Sequence, residues 1–218
     1  MKTGILSDTH DLLRPEVIAA LQGCDCILHC GDISSQSILD RLSQIAPVKA
    51  VRGNNEKEET ECQPLFLDFA LDGLRVFMTH KKKDLPKDTN AYDLMIYGHS
   101  HQYAETWLDR TLLLNLGSCG PRRFHQPITL AILETDGRGF QVRRIDIPHT
   151  AKEAAPRIDP ANVKAQIELV IRETEKGRGP MEIARRSGMD PALTEQIARL
   201  YVTHPGVTAD GIMTKMGL

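Results

Sequence analysis

The chain has 218 residues, of which 41% are hydrophobic and 26% charged, a composition typical of a soluble protein with a real core. Its formal net charge of −2 provides no global attraction to nucleic acid or to an anionic membrane. Because the first residues start a strand-like run and the sequence has no apolar stretch long enough to span a bilayer, we expect no signal peptide and a cytoplasmic protein without a membrane partner. Five cysteines without a Cys-x-x-Cys pair favour reduced thiols over disulfides or zinc.

The first part of the chain alternates strand-like and helix-like segments. Short apolar runs predict strands at residues 2–7, 25–30 and 48–52. A helix is predicted from Pro15 to Leu21, because the missing N–H of proline costs nothing in the first turn of a helix. A second helix follows Ser34 or Ser35, either of which can cap it. This βαβαβ order is typical of a parallel α/β sheet.

After Gly53 the pattern changes to strands separated by short turns. The strand candidates are residues 65–71, 74–80, 94–97, 103–108, 111–115, 128–134 and 140–147. Asp72-Gly73 and Asp109-Arg110 have the turn residues of hairpins. A parallel first half followed by meanders predicts an α/β fold with a two-sheet β-sandwich flanked by helices.

The last quarter of the chain is different in composition. We predict a first domain over residues 1–150, a proline-containing linker at 151–160, and a small all-α module over 161–218. Two helices on either side of Gly188 have the spacing of a helix-turn-helix. The module is nearly neutral, so we rank its roles as homo-oligomerisation or packing first, protein binding second and nucleic-acid binding last.

Seven side chains of metal-ligand type follow the predicted strands. They are Asp8, His10, Asp32, Asn54, His80, His99 and His101. Seven donors are too many for one catalytic cation and suit two cations that keep open positions. The carboxylate of Asp32 has two oxygens, so it can bridge such a pair. Nitrogen and oxygen donors without thiolate favour manganese, iron, zinc, nickel or cobalt over calcium.

The motifs carrying these residues resemble those of a known family. Asp8-x-His10, Gly31-Asp32, Gly53-Asn54, His80 and Gly98-His99-x-His101, in this order, are similar to the calcineurin-like metallophosphoesterase superfamily. The resemblance covers residues 2–147, and Ser7-Asp8-Thr9-His10 is most similar to the short bacterial and archaeal phosphodiesterase branch, which includes Vps29. Each motif alone is weak, but five in order form a strong signal.

The resemblance implies a dinuclear metal-dependent phosphodiesterase that acts on a small phosphoester, with manganese as the first choice of metal. One metal would be held by Asp8, His10, Asp32 and His101, and the other by Asp32, Asn54, His80 and His99. A metal-bridging hydroxide would then attack phosphorus in line with the leaving oxygen. In this interpretation Asp32 bridges the metals and is catalytic.

Several positions depart from the family pattern. Asn55 stands where many members have a histidine, and it can orient the phosphate by a hydrogen bond but cannot supply a proton. We therefore expect Asn55 to be catalytic as a residue that orients the phosphate. We also expect the enzyme to prefer substrates whose leaving group is stable without a proton. Lys81-Lys82-Lys83 either attracts an anionic substrate or forms a solvated loop, which we favour. Arg122 or Arg123 is a candidate phosphate clamp.

Two other functions stay open. A Vps29-like protein would use the same fold as a protein-binding scaffold without chemistry, but that group loses ligand histidines and this chain retains them. The other alternative is a phosphoesterase with a nucleic-acid-binding C-terminal module. Among the remaining histidines, His29 is expected to be a hydrogen-bond partner behind the ligands, whereas His125, His149 and His204 are expected at the surface.

Overall fold

In a computed structural model the chain forms two compact units, Met1–His149 and Thr150–Leu218. The structure describes residues 1–122, 126–137, 139–148, 162–204 and 206–216. The predicted linker at 151–160 lies outside these ranges, so the predicted domain boundaries stay predictions. Within the described ranges, no helix has both the length and the apolar character needed to cross a membrane.

The described part of the first unit contains ten strands and two α-helices. The strands are β1 (Lys2–Leu6), β2 (Cys26–His29), β3 (Val48–Ala50), β4 (Phe66–Leu71), β5 (Leu74–Thr79), β6 (Leu94–Tyr97), β7 (Tyr103–Leu108), β8 (Thr111–Leu116), β9 (Ile128–Thr135) and β10 (Phe140–Ile147). The helices are α1 (Pro15–Leu21) and α2 (Gln36–Ser43). Helix α1 begins at Pro15 and ends at Leu21, as predicted.

The strands form two mixed sheets of five. The first has the order β10-β9-β1-β2-β3, in which β1, β2 and β3 are parallel and β9 and β10 pair antiparallel. The second has the order β4-β5-β6-β8-β7, in which β5, β6 and β8 are parallel. The parallel strands of each sheet therefore end at a common edge.

Apolar clusters on three levels hold the sandwich together. Between the sheets, Ile5 and Leu28 of the first sheet share a core with Met78 and Ile96 of the second. The outer face of the first sheet packs against α1 and α2. The outer face of the second sheet is covered by a small cluster that includes Tyr92. Full burial of each large aliphatic side chain stabilises the fold by about 1.5–3 kcal/mol. The predicted two-sheet sandwich with flanking helices is confirmed.

Local turn chemistry agrees with the sequence at one connection and differs at another. Asp72 and Gly73 join β4 to β5 with φ of +46° and +87°, the two positive angles of a type I′ hairpin. Ser35 precedes α2 as predicted, but its side chain makes no capping bond. Its hydroxyl instead donates to the carboxylate of Asp11, because the loop after β1 lies beside this helix start.

The described part of the second unit is all-helical. It contains α3 (Val163–Glu175), α4 (Pro180–Ser187), α5 (Pro191–Thr203) and α6 (Ala209–Met216). Gly188 ends α4 with a left-handed φ of +68°, and the carboxylate of Asp190 accepts the N–H of Leu193 at 2.8 Å to cap α5. Ile167, Ile197 and Ile212 are fully buried, so the four helices enclose a core of their own.

Candidate metal centre

The seven predicted ligands lie in loops that follow parallel strands. Asp8 and His10 follow β1, Asp32 follows β2, Asn54 follows β3, His80 follows β5, and His99 and His101 follow β6. Because parallel neighbours end at the same sheet edge, each sheet presents its ligands along one edge. Each of the seven contacts at least one other of the set at the distances given below.

Five of these residues adopt a backbone conformation that is unusual for non-glycine residues. The φ angles are +57° at Asp8, +45° at His10, +55° at Asp32, +70° at His99 and +58° at His101. Such left-handed positions cost of order 1–3 kcal/mol each and cluster at functional sites. Hydrogen bonds between the loops hold them, among them Asp8 N–H to Gly31 O at 3.0 Å and His10 N–H to Asp32 O at 2.9 Å.

Gly53 permits the loop after β3 to lie directly on Asp32. A Cβ atom at Gly53 would fall 2.1 Å from both the backbone nitrogen and Oδ1 of Asp32, which is far inside van der Waals contact. The glycine of the Gly53-Asn54 motif is therefore required by the close approach of two ligand loops.

Asp8 is a buried carboxylate held from two sides. Its Oδ2 accepts the hydroxyl of Ser7 at 2.6 Å and the N–H of His99 at 3.0 Å. Its Oδ1 faces Nε2 of His101 at 3.1 Å and Nε2 of His10 at 3.7 Å. Burial raises the pKa of Asp8, but the charge and hydrogen bond of His101 outweigh burial and lower this pKa below its ordinary value. The carboxylate is therefore ionised at neutral pH.

Asp32 faces both halves of the site. Its Oδ1 accepts the backbone N–H groups of Asn54 at 2.7 Å and Asn55 at 2.9 Å. Nε2 of His80 lies 3.4 Å from Oδ1, and Nε2 of His10 lies 3.6 Å from Oδ2. Burial raises the pKa of Asp32, but the hydrogen bond and charge of His80 hold it well below its usual range.

His80 is oriented by its second ring nitrogen. Nδ1 lies 2.8 Å from the carbonyl oxygen of Cys30, and a carbonyl can only accept, so Nδ1 carries the proton. The lone pair of Nε2 then lies 3.2 Å from Asn54 Oδ1, so two atoms of metal-ligand type stand next to each other. The ring of His99 lies edge-on to that of His80 with centroids 5.1 Å apart. These three side chains form one side of the site.

The donor atoms fit a divalent cation. Among the described residues, two groups of three His or acidic side chains place their donor atoms within 4.8 Å of one another, and both include Asp8. The first adds His10 and His101, and the second adds Asp32 and His80. Nε2 of His10 and Nε2 of His101 lie 3.4 Å apart, and both face the buried Oδ1 of Asp8. Converging lone pairs on a buried anion suit a transition-metal ion.

His29 was expected to be a hydrogen-bond partner behind the ligands, and it contacts the loop that carries two of them. Its fully buried ring places Nε2 3.0 Å from the hydroxyl of Thr9, the residue between Asp8 and His10. Burial lowers the pKa of His29 to about 4, so the ring is neutral at neutral pH.

Two supporting residues were not identified as such from the sequence. Glu56 accepts hydrogen bonds from the loops after β2 and β3. The buried amide of Asn115, at the end of β8, donates to Gly98 O at 3.1 Å and to the hydroxyl of Ser100 at 2.9 Å, which holds the loop between His99 and His101. A glutamate shortly after the Gly-Asn motif was the only available signal for Glu56.

The lysines that follow His80 are largely exposed. Lys82 and Lys83 are exposed and Lys81 is half-buried, with the ammonium of Lys82 lying 6.0 Å from the ring centroid of Tyr97. Arg122 is half-buried, and His204 is exposed as expected. Arg123, His125 and His149 lie outside the described residues.

Comparison with known proteins finds relatives of this chain among archaeal phosphoesterases. A phosphodiesterase from Methanocaldococcus jannaschii is 28% identical over 163 residues, which covers 65% of this chain and 97% of the relative. A probable metallophosphoesterase from Methanothermobacter thermautotrophicus is 33% identical over 151 residues, which covers 63% of this chain and 87% of that relative.

Solved structures share the fold. The structure of an archaeal phosphodiesterase matches with a TM-score of 0.59 at 28% identity, covering 67% of this chain and 100% of the other. Vps29 from Chaetomium thermophilum matches with a TM-score of 0.60 at 15% identity, covering 71% of this chain and 92% of the other, a likeness that shows the fold alone. The family model described as the calcineurin-like phosphoesterase superfamily domain matches residues 1–138. The chain therefore belongs to the calcineurin-like phosphoesterase superfamily.

Proposed function

We propose that this phosphoesterase-family protein is a dinuclear metal-dependent phosphodiesterase that hydrolyses a small phosphoester. The observation that supports the proposal most is the placement of two buried, ionised carboxylates, Asp8 and Asp32, among imidazole nitrogens from other loops. Buried carboxylates are costly unless a cation or hydrogen bonds compensate them. Two cations held at this position would account for that cost.

The ligand sets follow the two sides of Asp32. The first ion would be held by Asp8, His10, Asp32 and His101, and the second by Asp32, Asn54, His80 and His99. Ions at these positions would polarise the phosphoryl group and activate water near neutral pH. Asp8 belongs to both donor groups, so its carboxylate lies close to both proposed ion positions.

Other groups of the protein orient these ligands by hydrogen bonds. The carbonyl of Cys30 fixes the proton on Nδ1 of His80, which keeps the lone pair of Nε2 available to bind a metal ion. The N–H groups of Asn54 and Asn55 hold the carboxylate of Asp32 in one orientation. The site is thus organised before a substrate binds.

Asn55 is assigned the role of orienting the substrate phosphate. Its side chain is exposed, and its Nδ2 donates to Asp32 Oδ2 at 3.2 Å. An amide donor at this position can exchange to a phosphate oxygen, but it cannot protonate a leaving group at neutral pH. The assignment therefore favours diesters whose leaving group departs without a proton, such as aryl esters.

A panel of metals and phosphoesters tests this function. The protein is stripped with chelator, loaded separately with Mn²⁺, Ni²⁺, Fe²⁺, Zn²⁺ or Co²⁺, and assayed with bis(4-nitrophenyl) phosphate and 4-nitrophenyl phosphate. We expect metal-dependent hydrolysis of the diester in preference to the monoester, with Mn²⁺ most effective. Faster turnover of the monoester with every metal would instead identify a phosphomonoesterase.

The second candidate is a protein-binding scaffold, favoured by the fold shared with Vps29. Bound metal without turnover of any ester in the panel would support it. For the helical unit we propose homo-oligomerisation, because Met181 and Val202 are each 66% exposed on α4 and α5. Nucleic-acid binding ranks lower, because Lys164 pairs with Asp210 and Arg186 with Glu182, which offsets its basic charge.

A further inference from the structure

Among the described residues, Glu56 is a carboxylate beside the site that accepts four hydrogen bonds and has no role in the ligand assignment. Its Oε1 accepts the N–H of Ile33 at 3.1 Å and the N–H of Gly53 at 2.9 Å. Its Oε2 accepts the N–H of Ser34 at 2.8 Å and the hydroxyl of Thr60 at 2.9 Å. All four partners are donors, so the contacts match an ionised carboxylate.

These contacts join two ligand loops. Ile33 and Ser34 directly follow Asp32, whereas Gly53 directly precedes Asn54. Asp32 and Asn54, the ligands on these two loops, are 22 positions apart in sequence, and Glu56 binds backbone groups of both loops at once. A backbone N–H held by a carboxylate fixes its peptide plane, and therefore fixes the direction in which the next side chain leaves the chain.

The loop carrying Asp32 has further anchors that do not depend on Glu56. The carbonyl of Asp32 accepts the N–H of His10 at 2.9 Å, and the carbonyl of Ile33 accepts the N–H of Asp11 at 3.2 Å. In the loop of Asn54, the N–H of Gly53 is held by Glu56, and the N–H of Asn55 bonds to Oδ1 of Asp32. The N–H of Asn54 is bonded to Oδ1 of Asp32, the carboxylate oxygen that also faces His80. Both loops therefore keep anchors of their own, but Glu56 holds the residue directly before Asn54, whereas beside Asp32 it holds only residues that follow the ligand. Loss of Glu56 should therefore displace Asn54 more than Asp32.

Asp8, His10 and His101, three of the four proposed ligands of the first ion, lie on loops that other groups brace, and the fourth, Asp32, is shared with the second ion. Ser7 and the N–H of His99 hold Asp8, and Asn115 holds the loop before His101. None of the hydrogen bonds of Glu56 described above reaches these loops. The two metal positions thus differ in how they are supported.

We propose that Glu56 is a positioning residue that sets the affinity of the second metal position, the one with Asn54 and His80, and leaves the first largely unaffected. This inference rests on the proposed dinuclear function. Replacement of groups that orient metal ligands typically lowers metal affinity by about 10- to 100-fold. We expect a loss of that size at one position, so that binding of two ions separates into two steps.

The test compares Glu56→Gln with Glu58→Gln in the full chain. In Glu56→Gln, the NH₂ group that replaces one carboxylate oxygen would face N–H or O–H donors, which breaks some of the four hydrogen bonds of Glu56. Glu58 is exposed and close by in sequence, so Glu58→Gln makes the same change of charge and leaves these hydrogen bonds intact. Isothermal titration of the metal-free proteins with Mn²⁺ gives stoichiometry and affinity, and electron paramagnetic resonance distinguishes coupled Mn²⁺ pairs from isolated ions.

The expected result has three parts. The wild type and Glu58→Gln bind two ions with a coupled-pair signal, and Glu56→Gln binds one ion with wild-type affinity. Its second ion binds about 10- to 100-fold more weakly, and isolated-ion signal dominates at one equivalent. Two wild-type-like ions in Glu56→Gln, or equal weakening of both, would overturn the role of Glu56 and leave the dinuclear function standing. A wild type that binds a single ion would overturn both.

A milder variant provides an answer if Glu56→Gln does not fold. Thr60 is fully buried, and its hydroxyl donates to Glu56 Oε2 and to Lys57 O at 3.2 Å. Thr60→Val removes the hydroxyl at nearly constant volume and leaves the three backbone bonds of Glu56. We expect a smaller weakening confined to the second ion, whereas weakening of the first ion alone would contradict the proposal.

Discussion

The two units of the chain use left-handed backbone positions in different ways. In the described part of the helical unit, every residue with positive φ is a glycine, and Gly177, Gly188 and Gly206 each have open space where a Cβ would lie. In the first unit, such positions at the sheet edge are occupied by Asp8, Asp32 and other ligands. A turn alone needs only glycine, whereas a site needs a functional side chain at a strained position, held by neighbouring loops.

Charges show the same contrast. The Lys164–Asp210 pair of the helical unit joins two exposed side chains, and such pairs contribute little to stability because water and salt screen them. Asp8 and Asp32 are buried and depend on nearby imidazoles and N–H groups. Substitutions should therefore have large effects at the sheet edge and small effects in the helical unit.

The largest contrast is expected between two aspartates. Asp32→Ala removes the carboxylate that faces both sides of the site. It should lower the rate of diester hydrolysis about 10³-fold or more, because metal ions stabilise the charge of the transition state by several kcal/mol. His99→Ala should have an effect in the same direction. Asp210→Ala, in the helical unit, should leave turnover unchanged. Steady-state kinetics with circular dichroism as a folding control measures this, and wild-type turnover in Asp32→Ala would refute the site assignment.

His29 provides the next contrast, in stability rather than activity. Burial lowers its pKa from 6.5 to about 4 in the folded chain, so between these values the unfolded chain binds the proton and the folded chain does not. Stability should therefore fall as the pH drops from 6.5 toward 4, by about 3 kcal/mol from this residue.

Urea unfolding at pH 7 and pH 4.5, with chelator present, measures this dependence. His29→Gln keeps a donor for Thr9 but cannot be protonated, so it should reduce the loss of stability at pH 4.5. His204→Gln, at an exposed histidine of the helical unit, serves as the control. An identical pH dependence in wild type and His29→Gln would show that His29 is not buried in its neutral form.

Two glycines sharpen the comparison further. An added Cβ at Gly53 would collide with Asp32, and displacement of about 1 Å at a site costs on the order of 10²-fold in rate. Gly188→Ala meets no neighbouring atom and should cost only about 1–2 kcal/mol of helical-unit stability from its positive φ. Kinetics and thermal unfolding of both variants measure these effects; undiminished activity in Gly53→Ala would contradict the close approach of the two loops.

Removal of the helical unit should have the smallest effect on chemistry. Deletion of residues 161–218 is expected to reduce the oligomeric mass measured by light scattering while diester turnover per chain stays unchanged. Fluorescence anisotropy with labelled DNA measures nucleic-acid affinity in parallel. A large loss of DNA binding with no change in mass would reverse our ranking of the roles of this unit.

Much of the fold followed from local patterns. The helix from Pro15 to Leu21, the hairpin at Asp72-Gly73 and the two-sheet architecture depend on proline geometry, turn chemistry and short apolar runs, all of which are visible in the sequence. Ser35 shows where this reasoning fails. Its position before α2 was predictable, but Asp11, from another loop, competes for its hydroxyl.

The sequence by itself determined which side chains of ligand type follow strands, because strand ends and their polar residues are local features of the chain. Only the tertiary structure decided that Asp8 belongs to both donor groups, that Asn55 contacts Asp32, and that Glu56 joins two loops. These contacts link residues on separate loops, most of them more than twenty positions apart. Their geometry depends on how the two sheets pack, which no local pattern encodes.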